Sequence, residues 1–293
     1  MLFYAPSTRT RAAFEAGIEL LGGHAAYIDM STTRIKNGED IEDAAKMYDI
    51  YGDAIGIRIL DSAIDHVYGE GRKIVQKIAN IAKKPVINLA DCTYHPTQAL
   101  GDIMTLEDKI GTNKIAGKKY VIMWGYSSRL RGRCSVNAEA LIATRFGMDV
   151  IIAHPPGFEL SPDIITDCKK NAKENRGSFK IVNDFQEALL DADVVFPKSW
   201  VSTEMSKIGA TAFGVERENE IHNKYRNWRL TQKHVNDLMN KHAFVTHVLP
   251  AYRDEEATAE VIAGPNSIIY EQAENSFYSK MAVLALVLSK SRQ

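Results

Sequence analysis

Cysteine is scarce in this sequence, and long apolar runs are missing. The cysteines are far apart and form no CxxC pair, so neither a disulfide framework nor a structural zinc site is expected: Cys92, Cys134 and Cys168. No uninterrupted apolar run approaches the roughly 20 residues that cross a bilayer. We therefore expect a cytoplasmic protein with no metal and no membrane partner.

An excess of either charge is also missing. Lysine and arginine number 36 and aspartate and glutamate 37, which gives a formal net charge of -1. This balance provides no general attraction to nucleic acid or to an anionic membrane. Hydrophobic residues make up 45% of the chain and charged residues 25%, which is usual for a folded globular protein. The length of 293 residues favours two domains.

The N-terminus has no basic stretch followed by a long apolar segment, so secretion has no support. The chain starts directly in a predicted strand, Leu2–Tyr4. Such a start is expected either of a compact variant or of a chain that lacks an N-terminal segment.

Short β-rich runs alternate with amphipathic helical stretches, which is the pattern of a parallel α/β fold. The predicted strands are Leu2–Tyr4, Ala25–Ile28, Ala54–Ile59, Pro85–Leu89, Lys119–Trp124, Asp149–Ala153, Phe179–Val182, Val194–Phe196 and Ala243–Thr246. The predicted helices are Thr8–Leu21, Ile41–Met47, Arg72–Ala82, Val136–Phe146, Pro162–Ala172, Phe185–Leu190, Gln232–Asn240 and Gln272–Leu288. The polar stretch Asp108–Lys118 is the predicted linker between two halves, whose strand ends would surround a shared cleft.

The first segment with candidate binding residues is Pro6–Arg11 (PSTRTR), between a predicted strand and a predicted helix. Backbone N–H groups at a helix N-terminus, hydroxyl groups and a guanidinium group can together hold an anion. The alternative is local, with Ser7 or Thr8 capping the helix while both arginines are solvated.

Two further segments follow later strands. His95–Gln98 (HPTQ) offers an imidazole and an amide, which can donate hydrogen bonds to a carbonyl without a fixed charge. The alternative is that His95 only caps a helix or packs against neighbouring side chains. His247–Pro250 (HVLP) follows a strand of the second half, where a proline leaves backbone carbonyls available as acceptors. The alternative there is an ordinary loop at the end of a strand. Neither segment by itself is therefore specific evidence of a binding site.

Taken together and in this order, the three segments resemble the aspartate/ornithine carbamoyltransferase family. Arg58 in IGIR, Gly101-Asp102 after HPTQ, and EQAEN at Glu271–Asn275 support the resemblance, which covers nearly the whole chain. It implies two parallel-sheet α/β domains: a carbamoyl phosphate domain at 1–114 plus 268–293, and an amino-acid domain at 115–267. It also implies that the last helix returns to the first domain, and that neither a metal nor an organic cofactor is needed.

The resemblance implies a role for each matching residue. Arg58 and His95 would polarise the carbamoyl carbonyl, on which negative charge develops during attack, and Gln98 would contact the carbamoyl amino group. The phosphate of carbamoyl phosphate would be held by Ser7, Thr8, Arg9 and Thr10. The substrate-binding residues of the second half would be Lys198, Trp200, His247, Leu249 through its backbone carbonyl, and Arg253.

Some positions differ from the ornithine and aspartate branches. Val248 replaces the cysteine or proline of those branches, and Lys198 in PKSW replaces an aspartate of the ornithine branch. A lysine there would disfavour a second free ammonium group, unless it points to solvent or pairs with an acid such as Glu204. The KSW sequence resembles the knotted branch, which includes the acetylornithine and succinylornithine enzymes.

Membership of that branch would imply a trefoil-type knot in the second domain, with the later chain threading through the loop Gly125–Ser135. The alternative for this loop is an ordinary solvated basic segment, since Arg129, Arg131 and Arg133 lie in it. The resemblance also implies a homotrimer, in which Thr33–Glu39 of a neighbouring subunit completes each site.

Two hypotheses for function remain open. In the first, the protein moves a carbamoyl group between carbamoyl phosphate and the amino group of an amino acid or ureido acid, in either direction. In the second, it is a catalytically impaired relative that binds or regulates, because Ala251 and Ser276 stand where many relatives carry phosphate-binding arginines. Arg253 and Lys280 are the candidate replacements for those arginines. A nucleotide-dependent enzyme is disfavoured because no glycine-rich nucleotide motif follows a predicted strand.

Overall fold

The computed structural model describes residues 1–290, in which two parallel sheets are flanked by helices. The first sheet has the order β2-β1-β3-β4 and the second β7-β6-β5-β8-β9. Their strands are β1 Leu2–Phe3, β2 Ile28–Asp29, β3 Ile55–Ile59, β4 Val86–Asp91, β5 Lys119–Trp124, β6 Asp149–Ala153, β7 Ser178–Val182, β8 Val194–Lys198 and β9 Phe244–Val245. All pairings between these strands are parallel, which confirms the predicted α/β class with two sheets.

The helices connect successive strands and cover both faces of each sheet. They are α1 Thr8–Leu20, α2 Ile41–Tyr51, α3 Glu70–Ile81, α4 Pro96–Ile110, α5 Cys134–Arg145, α6 Pro162–Glu174, α7 Phe185–Leu189, α8 Thr203–Ile208, α9 Ala210–Phe213, α10 Val215–Asn223, α11 Gln232–Leu238, α12 Ala259–Ala263 and α13 Ile269–Lys290. None of the helices in residues 1–290 is long and apolar enough to cross a membrane.

Side chains that alternate along the first sheet divide its core into two layers. Leu2 and Ile57 belong to one apolar cluster, whereas Phe3 and Leu89 belong to the other. Successive side chains of a strand point to opposite faces, so each face needs its own cover. The helix α3 supplies this cover on one side, and α1 together with α13 supplies it on the other.

The central strands β5, β6 and β8 are mostly apolar, as expected for a parallel sheet covered on both faces, whereas the edge strand β7 (SFKIV) is partly exposed. Val121, Ile122, Val194 and Val195 are completely buried in one large cluster. The three cysteines of the chain are buried and free. A rigid second sheet of this kind fixes the positions of the loops that leave its carboxyl ends.

The last helix returns to the first half, as predicted. Asn275 of α13 donates hydrogen bonds to Thr105 and Asp108 of α4, at 3.1 and 2.8 Å. A Cβ added to Gly101 of α4 would lie 2.6 Å from the Cα of Ser276, so the two helix backbones are in close contact. Helix α13 therefore forms one side of the space between the two halves.

The structure corrects the sequence-based elements in several places. The residues after His95 form a helix of 15 residues, α4, that the sequence pattern did not predict. This helix continues to Ile110, so only the second part of the predicted linker Asp108–Lys118 is non-helical. Four short helices of the second half, α8, α9, α10 and α12, were also missed.

The predicted domain limits and the predicted knot stay predictions. Residues 291–293 of the first predicted domain lie outside the described residues. In the loop Gly125–Ser135, the carbonyl of Arg131 accepts a hydrogen bond from the backbone of Val201 at 3.0 Å. The loop is therefore bound to the chain that follows β8.

Candidate functional site

A cavity of about 590 Å³ lies between the two halves. The segments around it leave the carboxyl ends of β1, β3, β4, β8 and β9, with α13 forming a further wall. Most of the predicted site residues line it: Ser7, Arg9, Thr10, Arg58, His95, Gln98, Lys198, His247 and Leu249. Parallel strands bring their carboxyl ends to one edge, which explains why segments so far apart in sequence meet here.

The first turn of α1 forms one side of the cavity. Ser7 is the N-cap of this helix, and its hydroxyl accepts a hydrogen bond from the backbone N–H of Thr10 at 3.2 Å. The hydroxyl of Thr10 accepts in turn from the guanidinium of Arg58 at 3.3 Å. The capping interpretation of Ser7 and the anion-binding interpretation of the segment are therefore compatible, because the cap orients the turn toward the cavity.

Arg9 connects the two halves. Its guanidinium donates a hydrogen bond to the backbone carbonyl of Leu249, and Arg131 donates one to the neighbouring carbonyl of Pro250 at 3.3 Å. Burial lowers the pKa of Arg9, and the nearby Arg131 lowers it further. Two guanidinium groups thus lie close together beside the carbonyl groups of the HVLP segment, an arrangement that suits a ligand carrying more than one negative charge.

Arg58 and His95 present unused hydrogen-bonding atoms. Arg58 Nε and His95 Nδ1 are both buried without a partner among the described residues. Burial lowers the pKa of Arg58 to about 10, so this group stays charged at neutral pH. Burial and the nearby charge of Arg58 hold the pKa of His95 well below its ordinary value, so the imidazole is neutral. Buried polar atoms of this kind are normally satisfied, which marks this pair as a binding position.

Gln98 and the last helix close the cavity on another side. The amide nitrogen of Gln98 donates to Asp102 at 2.7 Å, and its oxygen accepts a long hydrogen bond of 3.4 Å from Ser276. Lys280 donates to the backbone carbonyl of Ser276 at 2.8 Å, and burial lowers the pKa of this lysine to about 8. Lys280 lines the cavity and therefore offers a cation near the position of Ser276.

Lys198 lines the cavity, but its charge is paired. Its ammonium group lies 2.8 Å from Glu256, which in turn lies 2.8 Å from His247 Nε2. Burial lowers the pKa of Lys198 to about 8, while Lys198 holds the pKa of Glu256 far below its ordinary value. Glu204, named from the sequence as an example of an alternative partner, is exposed and 3.4 Å from Arg217. Of the alternatives left open by the sequence, Lys198 is thus paired with an acid, and that acid is Glu256.

Three predicted site residues lie outside the cavity. Trp200 is completely buried in the second half, where its indole N–H donates to the carbonyl of Phe158 at 2.8 Å. Thr8 and Arg253 are exposed and do not line the cavity. Trp200 therefore has a packing role, and the proposal that Arg253 replaces the arginine missing at Ala251 receives no support from its position.

The structure adds residues that the sequence analysis did not select. Asp61 lines the cavity directly after β3, and burial raises the pKa of its carboxyl group to about 6. Arg131 lines it as well, whereas Arg133 is buried and donates to the carbonyl of Val201 at 2.9 Å. The solvated-loop interpretation of this segment is therefore wrong for Arg133. A search of all polar residues just after predicted strands would have found Asp61.

Comparison with known proteins decides the family. Residues 1–108 match the carbamoyl-P binding domain of aspartate/ornithine carbamoyltransferase, and residues 117–287 match its Asp/Orn binding domain. The chain belongs to the aspartate/ornithine carbamoyltransferase family. It is an enzyme, a carbamoyltransferase, and the resemblance seen in its sequence motifs is confirmed.

Curated relatives of similar sequence are named as ornithine carbamoyltransferases. The anabolic ornithine carbamoyltransferase of Pyrococcus furiosus is 36% identical over 289 residues, which cover 98% of this chain and 82% of that protein. The ornithine carbamoyltransferase of Bifidobacterium longum is 32% identical over 294 residues, which cover 100% of this chain and 84% of the relative.

Similar solved structures come from two branches of the family. One is an N-acetyl-L-ornithine transcarbamylase with a TM-score of 0.87 and 30% identity, covering 98% of this chain and 87% of that one. Another is the ornithine carbamoyltransferase from Pyrococcus furiosus with a TM-score of 0.83 and 35% identity, covering 99% of this chain and 83% of that one. Both branches are therefore represented among the relatives.

Proposed function

We propose that this carbamoyltransferase transfers the carbamoyl group of carbamoyl phosphate to the amino group of a diamino acid that carries a carboxylate or acyl group at its other end. The observation that carries the proposal is the pair of unsatisfied buried atoms on Arg58 and His95. The cavity they face is also lined by four cationic side chains: Arg9, Arg131, Lys198 and Lys280. Related proteins of both the ornithine and the acetylornithine type are consistent with such an acceptor.

In the proposed reaction, the first turn of α1 and the guanidinium of Arg9 hold the phosphate group. The free amine of the acceptor attacks the carbamoyl carbon, a C–N bond forms, and the carbon–oxygen bond to phosphate breaks. Charge that develops on the carbonyl oxygen is stabilised by Arg58 and by the neutral imidazole of His95. The departing phosphate takes the proton that the attacking amine nitrogen releases when the new C–N bond forms, so the reaction requires no cofactor.

The acceptor would be recognised by Lys198 and Asp61. An ammonium group has three N–H donors, and two of those of Lys198 are used by Glu256 and by the carbonyl of Ser199 at 3.0 Å. The third can donate to a carboxylate or acyl oxygen of the acceptor. The carboxylate of Asp61 offers an acceptor for its attacking amine. Since Glu256 offsets the charge of Lys198, repulsion of free ornithine is weaker than the sequence alone suggests.

Phosphate release from carbamoyl phosphate, measured with a panel of acceptors, tests the proposal. The panel contains ornithine, N-acetylornithine, putrescine and a ureido acid, and binding of carbamoyl phosphate is measured separately by calorimetry. We expect turnover with the two diamino acids and little with putrescine, which has no carboxylate for Lys198. If carbamoyl phosphate binds but none of the acceptors supports turnover, the alternative of a catalytically impaired relative is favoured. A preference for putrescine would refute the role of Lys198.

A further inference from the structure

The three arginines of the loop Gly125–Ser135 have different surroundings. Arg133 is buried and donates to two backbone carbonyls of the second half. Arg129 forms an ion pair of 2.8 Å with Glu255. Arg131 lines the cavity, and within residues 1–290 no carboxylate lies at ion-pairing distance from it. The reaction proposed above gives this cation no role.

Hydrogen bonds on both sides of Arg131 fix the position of its backbone. The hydroxyl groups of Ser127 and Ser128 donate to Glu255 at 2.5 and 2.8 Å. The backbone N–H of Val201 donates to the carbonyl of Arg131 at 3.0 Å. Less conformational freedom is lost on binding when the backbone that carries a side chain is already fixed. The loop therefore presents Arg131 to the cavity before a ligand binds.

The guanidinium group of Arg131 reaches the same part of the cavity wall as that of Arg9. Arg131 donates to the carbonyl of Pro250 at 3.3 Å, and Arg9 donates to the carbonyl of Leu249. These two acceptors belong to consecutive residues, so guanidinium groups from opposite halves of the molecule meet here. Each guanidinium has five N–H donors, and both groups therefore keep donors for a ligand.

Two neighbouring guanidinium groups suit a phosphate better than the carboxylate of an acceptor. Like charges repel each other, so the pair is stabilised most by a ligand with more than one negative charge. A phosphate group carries a charge of about −1.5 to −2 and three acceptor oxygens, whereas a carboxylate has one charge and two oxygens. Arg9 also lies in the first turn of α1, to which the proposed reaction assigns the phosphate.

We propose that Arg131 binds the phosphate group of carbamoyl phosphate together with Arg9, so that the two halves of the molecule hold this group between them. The inference rests on the proposed function and extends it. Arg131 lies within residues 117–287, which match the Asp/Orn binding domain and not the carbamoyl-P binding domain. It supplies a guanidinium next to Ala251, where the sequence has no arginine.

The test measures the dissociation constants of carbamoyl phosphate and of inorganic phosphate by calorimetry, without an acceptor, in wild type and three variants. Arg131→Gln removes the charge but keeps an amide that can donate to the carbonyl of Pro250. Arg131→Lys keeps the charge. Arg253→Gln is the matched comparison, because it removes the same charge from an exposed position outside the cavity lining.

We expect Arg131→Gln to weaken the binding of both compounds roughly ten- to hundredfold and Arg131→Lys to recover part of this loss. Arg253→Gln should stay within about twofold of wild type. Wild-type dissociation constants in Arg131→Gln would overturn the inference while leaving the proposed function intact. A higher KM for the acceptor alone would also overturn it, since Arg131 would then bind the acceptor. If wild type binds neither compound, the proposed function and this inference fail together.

A second measurement needs no variant and applies if Arg131→Gln does not fold. Phenylglyoxal modifies accessible guanidinium groups, and mass spectrometry of peptides from the wild-type protein gives the rate at each arginine. Inorganic phosphate should slow the modification of Arg9 and Arg131 together and leave that of Arg253 unchanged. Protection of Arg9 without protection of Arg131 would contradict the shared phosphate site.

Discussion

Two buried lysines, Lys198 and Lys280, line the cavity, one on each half of the molecule. Burial lowers the pKa of Lys280 and that of Lys198 to about 8. Among the described residues, Lys198 has a carboxylate within ion-pairing distance, namely Glu256 at 2.8 Å, and Lys280 has none. Lys280 is therefore the residue whose charge is available to an anionic ligand and whose titration should be visible in binding.

The affinity for carbamoyl phosphate should fall several-fold as the pH rises through about 8, because Lys280 then loses its positive charge. Calorimetric titrations between pH 7 and 9.5 measure this. In Lys280→Met, binding should be weaker at pH 7 and its pH dependence flatter. An unchanged pH profile in this variant would show that Lys280 does not contact the ligand.

The same shift has the opposite effect on folding stability. The folded-state pKa of Lys280 lies below the unfolded-state value of 10.5, so between about pH 8 and 10.5 the unfolded chain binds more protons. The contribution of this residue to the free energy of unfolding therefore rises with pH in that window. Urea unfolding of wild type and Lys280→Met at pH 7.5 and 9.5 separates this contribution from other titrations.

Arg9→Ala should weaken carbamoyl phosphate binding by about 1.5–3 kcal/mol, since hydrogen bonds to charged groups contribute this much. Arg11→Ala is the matched control. Arg11 lies on the same helix, but it pairs with Glu15 at 3.1 Å and stacks 3.8 Å over the ring of Tyr27, outside the cavity lining. Equal losses in the two variants would contradict the assignment of Arg9 to the phosphate.

His95→Ala should lower kcat by roughly 10²–10³ with little change in KM for carbamoyl phosphate, because its contact to the carbonyl oxygen strengthens as charge develops. The neutral state of the imidazole predicts no loss of activity from this residue as the pH rises from 6.5 to 8. Steady-state kinetics across this range measure both effects. A higher KM with kcat intact would mean that His95 only positions the substrate.

At the scale of elements, the contact between α4 and α13 determines how the C-terminal chain reaches the cavity. The helices approach closely at Gly101, where a Cβ would lie 2.6 Å from the backbone of Ser276. Lys109 and Glu271 form an ion pair of 2.6 Å between the same helices. Because Ser276 and Lys280 are on α13, this contact positions the last helix relative to Gln98 on α4.

Gly101→Ala should lower the free energy of unfolding by about 1–3 kcal/mol, because the added methyl group forces the two backbones apart. Urea unfolding measures this loss. Gly17→Ala is the control, since its Cβ would meet the flexible side chain of Met281 at 3.0 Å, which can move. A smaller loss at Gly101 than at Gly17 would contradict the close approach of α4 and α13.

At the scale of the whole molecule, the site is predicted to depend on assembly. Family resemblance predicts a homotrimer, with Thr33–Glu39 completing the site of a neighbour. In this chain, Arg34, Gly38 and Glu39 of that segment are exposed. An exposed segment is available to a neighbouring subunit, whereas a buried one would not be.

Sedimentation equilibrium should give a mass three times that of the 32.7 kDa chain. Mixing Arg9→Ala subunits with subunits that lack residues 34–38 should restore part of the activity, because some mixed sites then contain both intact parts. A stable monomer with full activity would exclude a shared site.

The sequence by itself determined the features that depend on neighbouring residues and on strand order. The strands Lys119–Trp124 and Asp149–Ala153 have the predicted limits, because buried parallel strands are continuous apolar runs. Ser7 caps α1 through a contact within one turn. Arg58 lies at the carboxyl end of β3, and the segments with Arg9 and His95 follow β1 and β4, so the parallel topology is sufficient to bring the three residues to one edge.

The tertiary structure alone decided the contacts between residues that are far apart in sequence. Lys198 and Glu256 pair across 57 intervening residues, and this pairing changes the charge that an acceptor meets. Trp200 points into the core although its neighbour Lys198 lines the cavity. Local patterns contain no information about such pairs, because charge compensation and burial depend on which segments the complete fold brings together.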